Sequence, residues 1–304
     1  MSLIERALEK HRRQNDRPPP TAVPAQAAAP PAAPQPAPAM DADARNFPHR
    51  AEILAIDTNA LRRMGYLPME EAVPEMTHQY RRLKRPLVVN ALKRDLAVSP
   101  RIIAVGSAIA GEGKSFTSLN LSLSLAIERD FSVLLIDGDV SRHALTTALE
   151  CTGEPGLLDL IEDGPRLLEN AIRATDHQGL YFLPSGAWRD NAPELLGSQR
   201  LARLLSEIST RFPSCLVVCD TPPTLLTNEA RSFLSLAGQV VFVVGAGSTP
   251  RQSVLDSLAM IEPDRPVSMV LNKYTGPVNS GYLYYGDHYK TRAPVTDRAN
   301  DSEP

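Results

Sequence analysis

No run of about 18 apolar residues occurs in this 304-residue chain, so no helix is expected to span a membrane. Cysteine is scarce. Cys151, Cys215 and Cys219 form neither an even framework nor a metal-spaced pair, which removes disulfide scaffolds and zinc ribbons from consideration. Charge of one sign is not in excess either: 32 basic residues face 35 acidic ones, for a net −3. With aromatics at only 5% and not interleaved with basic residues, nothing calls for a nucleic-acid partner. The N-terminus, MSLIERALEKHRRQ, is charged and lacks an apolar h-region, so it is not a secretory signal, and a cytoplasmic location is expected. What is present is 43% hydrophobic residues, enough for a full core. The length fits two domains or one large α/β domain with tails.

Residues 18–39 read PPPTAVPAQAAAPPAAPQPAPA, in which 18 of 22 positions are Pro or Ala and a third of the chain's 27 prolines are concentrated. Proline removes amide donors and fixes φ, so this is an extended tether. It separates residues 1–17 from the rest. There Leu3, Ile4, Ala7 and Leu8 share one helical face and Ser2 with Glu5 has capping-box spacing. That piece is either a frayed terminus or a short amphipathic docking helix. The organisation expected is therefore a helix over 1–17, a linker over 18–46, a main domain over 47–276 and a tail over 277–304. Four of the eight tyrosines crowd into that tail, at Tyr282, Tyr284, Tyr285 and Tyr289.

Within the main domain, helical patches and the basic run Arg81, Arg82, Lys84, Arg85 come first. Then short Val/Ile/Leu runs at 102–105, 132–136, 180–183, 215–219, 240–244 and 267–271 read as strands. Helical stretches at 115–128, 198–211 and 251–261 alternate with them. Continuously apolar strands are what a sheet covered on both faces requires, so a mostly parallel α/β sheet with helices on both faces is expected.

Three motifs carry chemistry. The apolar run at 102–105 leads into GSAIAGEGKS and a helix: a glycine-containing loop feeding a helix N-terminus, whose backbone amides can wrap phosphates. Gly111, Glu112, Gly113, Lys114, Ser115 and Phe116 are the expected nucleotide-binding residues, with Lys114 on the outer phosphates and Ser115 on Mg2+. Ala108 occupies the first glycine position of the strict pattern, so the loop is expected to differ slightly in shape. The second motif, VLLIDGDVSR, delivers Asp137 and Asp139 from a strand to the sheet's carboxyl edge, with Arg142 close behind. Alone it could be a solvated turn; beside a phosphate loop, the paired acids suit Mg2+ coordination and proton abstraction, and Arg142 can neutralise phosphate charge. The third, LVVCDTPP, delivers Asp220 in the form of a Walker B element, with Cys219 a small core residue. Asn272-Lys273 after the last strand either frames a base or is a plain loop.

The order of phosphate loop, hhhDxDxR and hhhhDxPP resembles the Walker A, A′ and B set of the bacterial tyrosine kinases. KRPL (84–87), IERDFSVLLIDGDVSR (127–142), NAPELL (191–196) and NEARSFLSLAGQVVFVVGAGSTP (228–250) resemble the branch that accompanies exosortase-linked exopolysaccharide loci. The resemblance implies a SIMIBI-like P-loop NTPase fold and an ATP- and Mg2+-dependent autokinase regulating exopolysaccharide synthesis and export. By that resemblance, Lys114 and Ser115 hold phosphates and metal, Asp137 is the base, Asp139 and Asp220 serve Mg2+, and Arg142 supports phosphate binding. The acceptors are Tyr282, Tyr284, Tyr285 and Tyr289 of a neighbouring subunit in a ring. An inner-membrane polysaccharide co-polymerase is the implied activator, holding the kinase at the membrane, and a tyrosine phosphatase the implied antagonist.

Two departures stand out. The family's Glu-x-x-Arg-x-x-Arg ring motif maps to Gln79, Arg82 and Arg85, so an ion pair between subunits becomes a neutral hydrogen bond. Ala110 replaces the family's usual proline. Ala110 also stands where ParA/MinD-like positioning ATPases carry a second lysine, which counts against that alternative. A non-kinase ATP-binding scaffold of an export complex is the other alternative.

Overall fold

The structure, a computed structural model, describes residues 52–93, 98–165 and 168–276. The expected N-terminal helix, the Pro/Ala linker and the tyrosine tail lie outside the described residues.

The apolar runs become β1 (Ile102–Ser107), β2 (Ser132–Asp137), β3 (Arg173–Ala174), β4 (Leu180–Leu183), β5 (Cys215–Asp220), β6 (Gln239–Gly245) and β7 (Val267–Asn272). They form one sheet in the order β3-β4-β2-β5-β1-β6-β7. Every pairing is parallel except β3 against β4. The helices are α1 (Thr58–Arg63), α2 (Val73–Ala91), α3 (Lys114–Ala126), α4 (Ala144–Ala148), α5 (Leu157–Asp163), α6 (Leu168–Ala171), α7 (Ala192–Leu196), α8 (Gln199–Arg211), α9 (Glu229–Leu236) and α10 (Arg251–Leu258).

Strand side chains alternate between two cores, as a two-period pleat dictates. Ile103, Val105, Val133, Leu135, Leu216 and Val218 pack with residues of α1, α2 and α3. Ile102, Ala104, Leu134, Ile136, Val217 and Cys219 pack with residues of α5, α8 and α9. The α8 sequence shows why it settles there: Leu201, Leu204, Leu205 and Ile208 recur at helical spacing and are buried, while Ser198 caps the N-terminus by accepting from the Arg200 amide.

The region before β1 is better ordered than helical patches. α2 continues through Pro86 to Ala91. That proline forfeits one helical hydrogen bond, a loss offset by burying Tyr80, Leu87 and Ala91. Lys84 departs from its basic neighbours. It is buried, its Nζ donating to the Ser124 carbonyl and pairing with Glu128, both at 2.7 Å. Arg81, Arg82 and Arg85 remain exposed.

β1 lies between β5 and β6, and the connections leaving β1 and β5 emerge at the carboxyl edge of the sheet. This is the place where open α/β sheets bind ligands.

Candidate active site

The phosphate loop turns on two glycines. Gly111 (φ 82°) and Gly113 (φ 98°) take the left-handed region, so Ala108 is not asked to, and its departure from the strict pattern is accommodated. A Cβ on Gly113 would collide with the Asn272 side chain. The loop is pinned from outside. The Asn272 amide donates to the Glu112 carbonyl (2.8 Å), and Lys273 Nζ donates to the Gly111 carbonyl (2.6 Å). Glu112, expected among the nucleotide-binding residues, uses its carboxylate on the protein instead. It is buried and accepts from the Ile109 amide (2.7 Å), the Gly245 amide (3.2 Å) and the Thr249 hydroxyl. Two carbonyls and one carboxylate of the loop are thereby tied to the ends of β6 and β7.

Above the loop is a cleft of about 430 Å3, within the size range of small-ligand sites. Lys114, Ser115, Phe116, Asp139, Arg142 and Asn272 line it together with Gly111 and Gly113. These include most of the positions expected to meet a nucleotide. The lining also includes Tyr66 and Lys273. A larger depression along the outside of α8, bordered by Gln199, Arg203, Glu207 and Arg211, contains none of these groups.

Asp137 and Asp220 lie beneath the cleft and are fully buried. Parallel register places them side by side at the ends of β2 and β5. Gly138 makes that abutment feasible: its amide donates to the Asp220 carbonyl (2.8 Å), and a Cβ would strike the Phe233 ring and that carbonyl. Asp137 Oδ2 accepts from the Thr146 amide and hydroxyl, each at 2.7 Å, and Thr146 Oγ1 in turn accepts from the Ser185 amide (2.9 Å). Asp220 Oδ1 accepts from the Ser118 hydroxyl (3.1 Å). The other oxygens, Asp137 Oδ1 and Asp220 Oδ2, are buried without a partner.

Burial pushes Asp137 up to about 6, opposed by the Thr146 bonds. Burial pushes Asp220 up to about 7, reinforced by the Asp137 charge and opposed by Lys114. Asp139 is raised by burial, with Lys114 pulling it back. Cys219 is a core thiol, pushed up to about 12 by burial and unfit as a nucleophile at neutral pH.

The orphaned Asp220 Oδ2 fits a divalent cation with its water shell, since a buried carboxylate oxygen without a donor is costly unless something binds it. Among the described residues no group of three or more His, Cys, Asp and Glu is arranged to hold a metal alone. A cation here would complete its shell from phosphates and water, as Mg2+ commonly does.

Ser118, Thr146, Ser185 and Tyr66 were not expected at the site. Ser118 lies one helical turn beyond Lys114, a spacing that could have flagged it. Thr146, Ser185 and Tyr66 come from segments with no motif. Gln79 hydrogen-bonds to Glu75 within α2, and the acceptor tyrosines Tyr282, Tyr284, Tyr285 and Tyr289 lie outside the described residues.

No family model matches the chain. Individual proteins do. Tyrosine-protein kinase YwqD of Bacillus subtilis (strain 168) is 27% identical over 223 residues, which are 72% of this chain and 90% of YwqD. Tyrosine-protein kinase CpsD of Streptococcus agalactiae is 30% identical over 204 residues, 66% of this chain and 86% of CpsD. Among solved structures, the BceF tyrosine kinase domain superposes with a TM-score of 0.56 at 26% identity, covering 70% of this chain and 86% of that domain. With likeness running through most of CpsD, and a phosphate loop set over two strand-end carboxylates, the chain belongs to the bacterial tyrosine-protein kinases.

Proposed function

We propose that this kinase transfers the γ-phosphoryl group of ATP to its own C-terminal tyrosines, Tyr282, Tyr284, Tyr285 and Tyr289, delivered by a neighbouring copy in an oligomer. The observation that carries the reading is the pair of unpartnered buried oxygens, Asp137 Oδ1 and Asp220 Oδ2, beneath a cleft lined by Lys114, Ser115 and Arg142. Loop amides, Lys114 and Arg142 hold the triphosphate and spread its charge, which is most of what phosphoryl transfer asks of a protein. Ser115, Asp139 and Asp220 would hold Mg2+, which supplies charge neutralisation between the outer phosphates.

Asp137 accepts the phenolic proton. Tyrosine has an ordinary value of about 10, and a carboxylate raised to about 6 with a free oxygen is better matched to it than an exposed one. Thr146 holds the other oxygen in place. Each transfer adds roughly 1.5 to 2 negative charges to the tail, so a modified tail is repelled by the same carboxylates and leaves. By its resemblance, the chain works beside an inner-membrane polysaccharide co-polymerase that activates it and a phosphatase that resets it, in the control of exopolysaccharide export. Arg82 and Arg85, exposed on α2, remain available to a neighbouring copy, whereas the Gln79 amide is used within its own helix.

The test is intact-mass spectrometry of the full chain after incubation with ATP and Mg2+, beside Lys114→Met and a chain ending at Gly276. Successive single-phosphate increments in the full chain, absent from both K114M and the shortened chain, are expected. Equal multiple phosphorylation of the shortened chain would refute the tail as acceptor.

A further inference from the structure

The last strand of the sheet is unlike its neighbours. β1, β2, β4 and β5 are buried at every residue, as strands covered on both faces must be, whereas no residue of β7 is fully buried. Its apolar side chains open to one side: Val267, Met269 and Leu271 are 39%, 50% and 60% exposed. Parallel register sets these three beside Val240, Phe242 and Val244 of β6. Val240 and Phe242 are wholly buried, in the core that Val254 and Leu258 of α10 pack against. One face of the sheet is therefore covered at β6 and bare at β7.

β7 is also an edge. Among the described residues it pairs with β6 alone, so the backbone groups on its far side meet no strand. Edges are commonly blunted by charge, proline or shortness. Val267–Asn272 holds no charged residue and no proline, and it runs six residues. At the opposite edge β3 is two residues long and carries Arg173. A bare apolar face and an unpaired edge on the same strand call for one further strand with an apolar side.

The chain supplies such a segment after a connection of nine residues, 273–281. Tyr282-Leu283-Tyr284-Tyr285 is a run of strand-forming residues between Gly281 and Gly286. Gly276-Pro277 and Asn279-Ser280-Gly281 in the connection suit a reversal. The turn has begun in the described residues: Lys273 has φ 60°, and Gly276 sits so close to the Tyr274 ring that a Cβ would collide with it. Nine extended residues reach about 30 Å and a six-residue strand is about 20 Å long, so the run can return beside the strand it follows.

We propose that residues 282–285 dock as an antiparallel strand on the free edge of β7 in the same chain, with Leu283 and Tyr285 turned to the Met269 and Leu271 side. The consequence for phosphoryl transfer rests on the kinase reading above. A docked tail is withheld from the neighbouring copy. Each phosphate adds roughly 1.5 to 2 negative charges, so a modified tail does not return to an apolar face.

The experiment is hydrogen–deuterium exchange read by mass spectrometry without nucleotide. It compares the full chain with a chain ending at Gly276 and with Leu283→Asp, which keeps all four tyrosines. Exchange at the amides of 267–272 that do not bond to β6 should be about tenfold slower in the full chain. That protection should vanish in the other two proteins and survive about tenfold dilution of the full chain. Exchange in β1 should be the same in all three and reports that each is folded. After incubation with ATP and Mg2+, the phosphorylated full chain should exchange over 267–272 like the shortened one. Equal exchange over 267–272 in the full and shortened chains would overturn the docking and leave the kinase reading intact. Protection lost on dilution would place a second copy's segment on the edge and overturn docking within one chain. Protection that persists in the phosphorylated chain would overturn the release. A full chain that takes up no phosphate would overturn the kinase reading and the withholding, while the exchange comparison still decides the docking.

Discussion

Replacing Asp220 with asparagine should stabilise the ligand-free protein while abolishing phosphoryl transfer, and the size of the effect should depend on pH in a defined way. Asp220 is fully buried, and its ionised form is opposed by burial and by the Asp137 charge, so its value rises from 3.8 to about 7. The folded state therefore binds this proton more tightly than the unfolded chain does. Stability is unaffected by the group below about pH 3.8, falls as pH rises from there to about 7, and is level above. The linkage slope of about 1.4 kcal/mol per pH unit then gives a cost of about 4 kcal/mol at pH 8 and about 2 kcal/mol at pH 5. Asparagine keeps an oxygen for the Ser118 hydroxyl and carries no charge. For a domain of this size a gain of about 3 kcal/mol at pH 8 corresponds to roughly 6–12 °C in Tm. Thermal unfolding of both proteins without nucleotide at pH 5 and pH 8, with and without Mg2+ and ATP, measures it. The added ligand should stabilise the parent and leave the variant nearly unmoved. A D220N protein that melts no higher than the parent at pH 8, or gains equally at both pH values, would refute the reasoning.

Three further outcomes follow from particular contacts. Lys84→Met keeps the buried stem but removes the donor to the Ser124 carbonyl and the partner of Glu128, and should cost about 1–3 kcal/mol in urea unfolding. Glu112→Gln puts an amide where the carboxylate receives donors from Ile109, Gly245 and Thr249; calorimetric ATP affinity should fall about tenfold, with a smaller change in the transfer rate at saturation. Gly138→Ala drives a methyl group into the Phe233 ring and the Asp220 carbonyl, and should cost about 1–3 kcal/mol and most of the autophosphorylation rate.

The parallel sheet and the phosphate loop could be read directly from the chain because both are local signals. Continuous apolar runs mark strands covered on both faces, and Gly-Lys-Ser after such a run marks a helix N-terminus open to anions. The run at 180–183 matches β4 residue for residue, and the others extend by one or two residues at their ends. The short helices α4, α5, α6, α7 and α9, together with β3, escaped detection because four to eight residues carry too little periodicity to separate a helix from a loop. Their packing against an already formed sheet decides their conformation. The burial of Lys84 was not legible for a related reason: nothing in a basic run shows which member tertiary structure will place against a carbonyl.

The site divides along the same line. Lys114, Ser115, Asp139 and Arg142 belong to motifs and meet in one cleft. What tunes them comes from elsewhere in the chain. Thr146 fixes one oxygen of Asp137, Ser118 fixes one oxygen of Asp220, and Glu112 with Asn272 and Lys273 holds the loop from behind. Each of these partners leaves another atom of the same residue unpartnered by occupying a different one: Oδ2 of Asp137, Oδ1 of Asp220, and the carbonyls of Gly111 and Glu112. Such one-sided satisfaction is costly in the empty protein, as the raised values of Asp137 and Asp220 record. It becomes favourable only when phosphates and a cation arrive to occupy the free side. The same feature that makes D220N more stable therefore favours binding by the native site, so stability of the empty protein and affinity for ATP with Mg2+ should move in opposite directions across neutralising substitutions at Asp137 and Asp220.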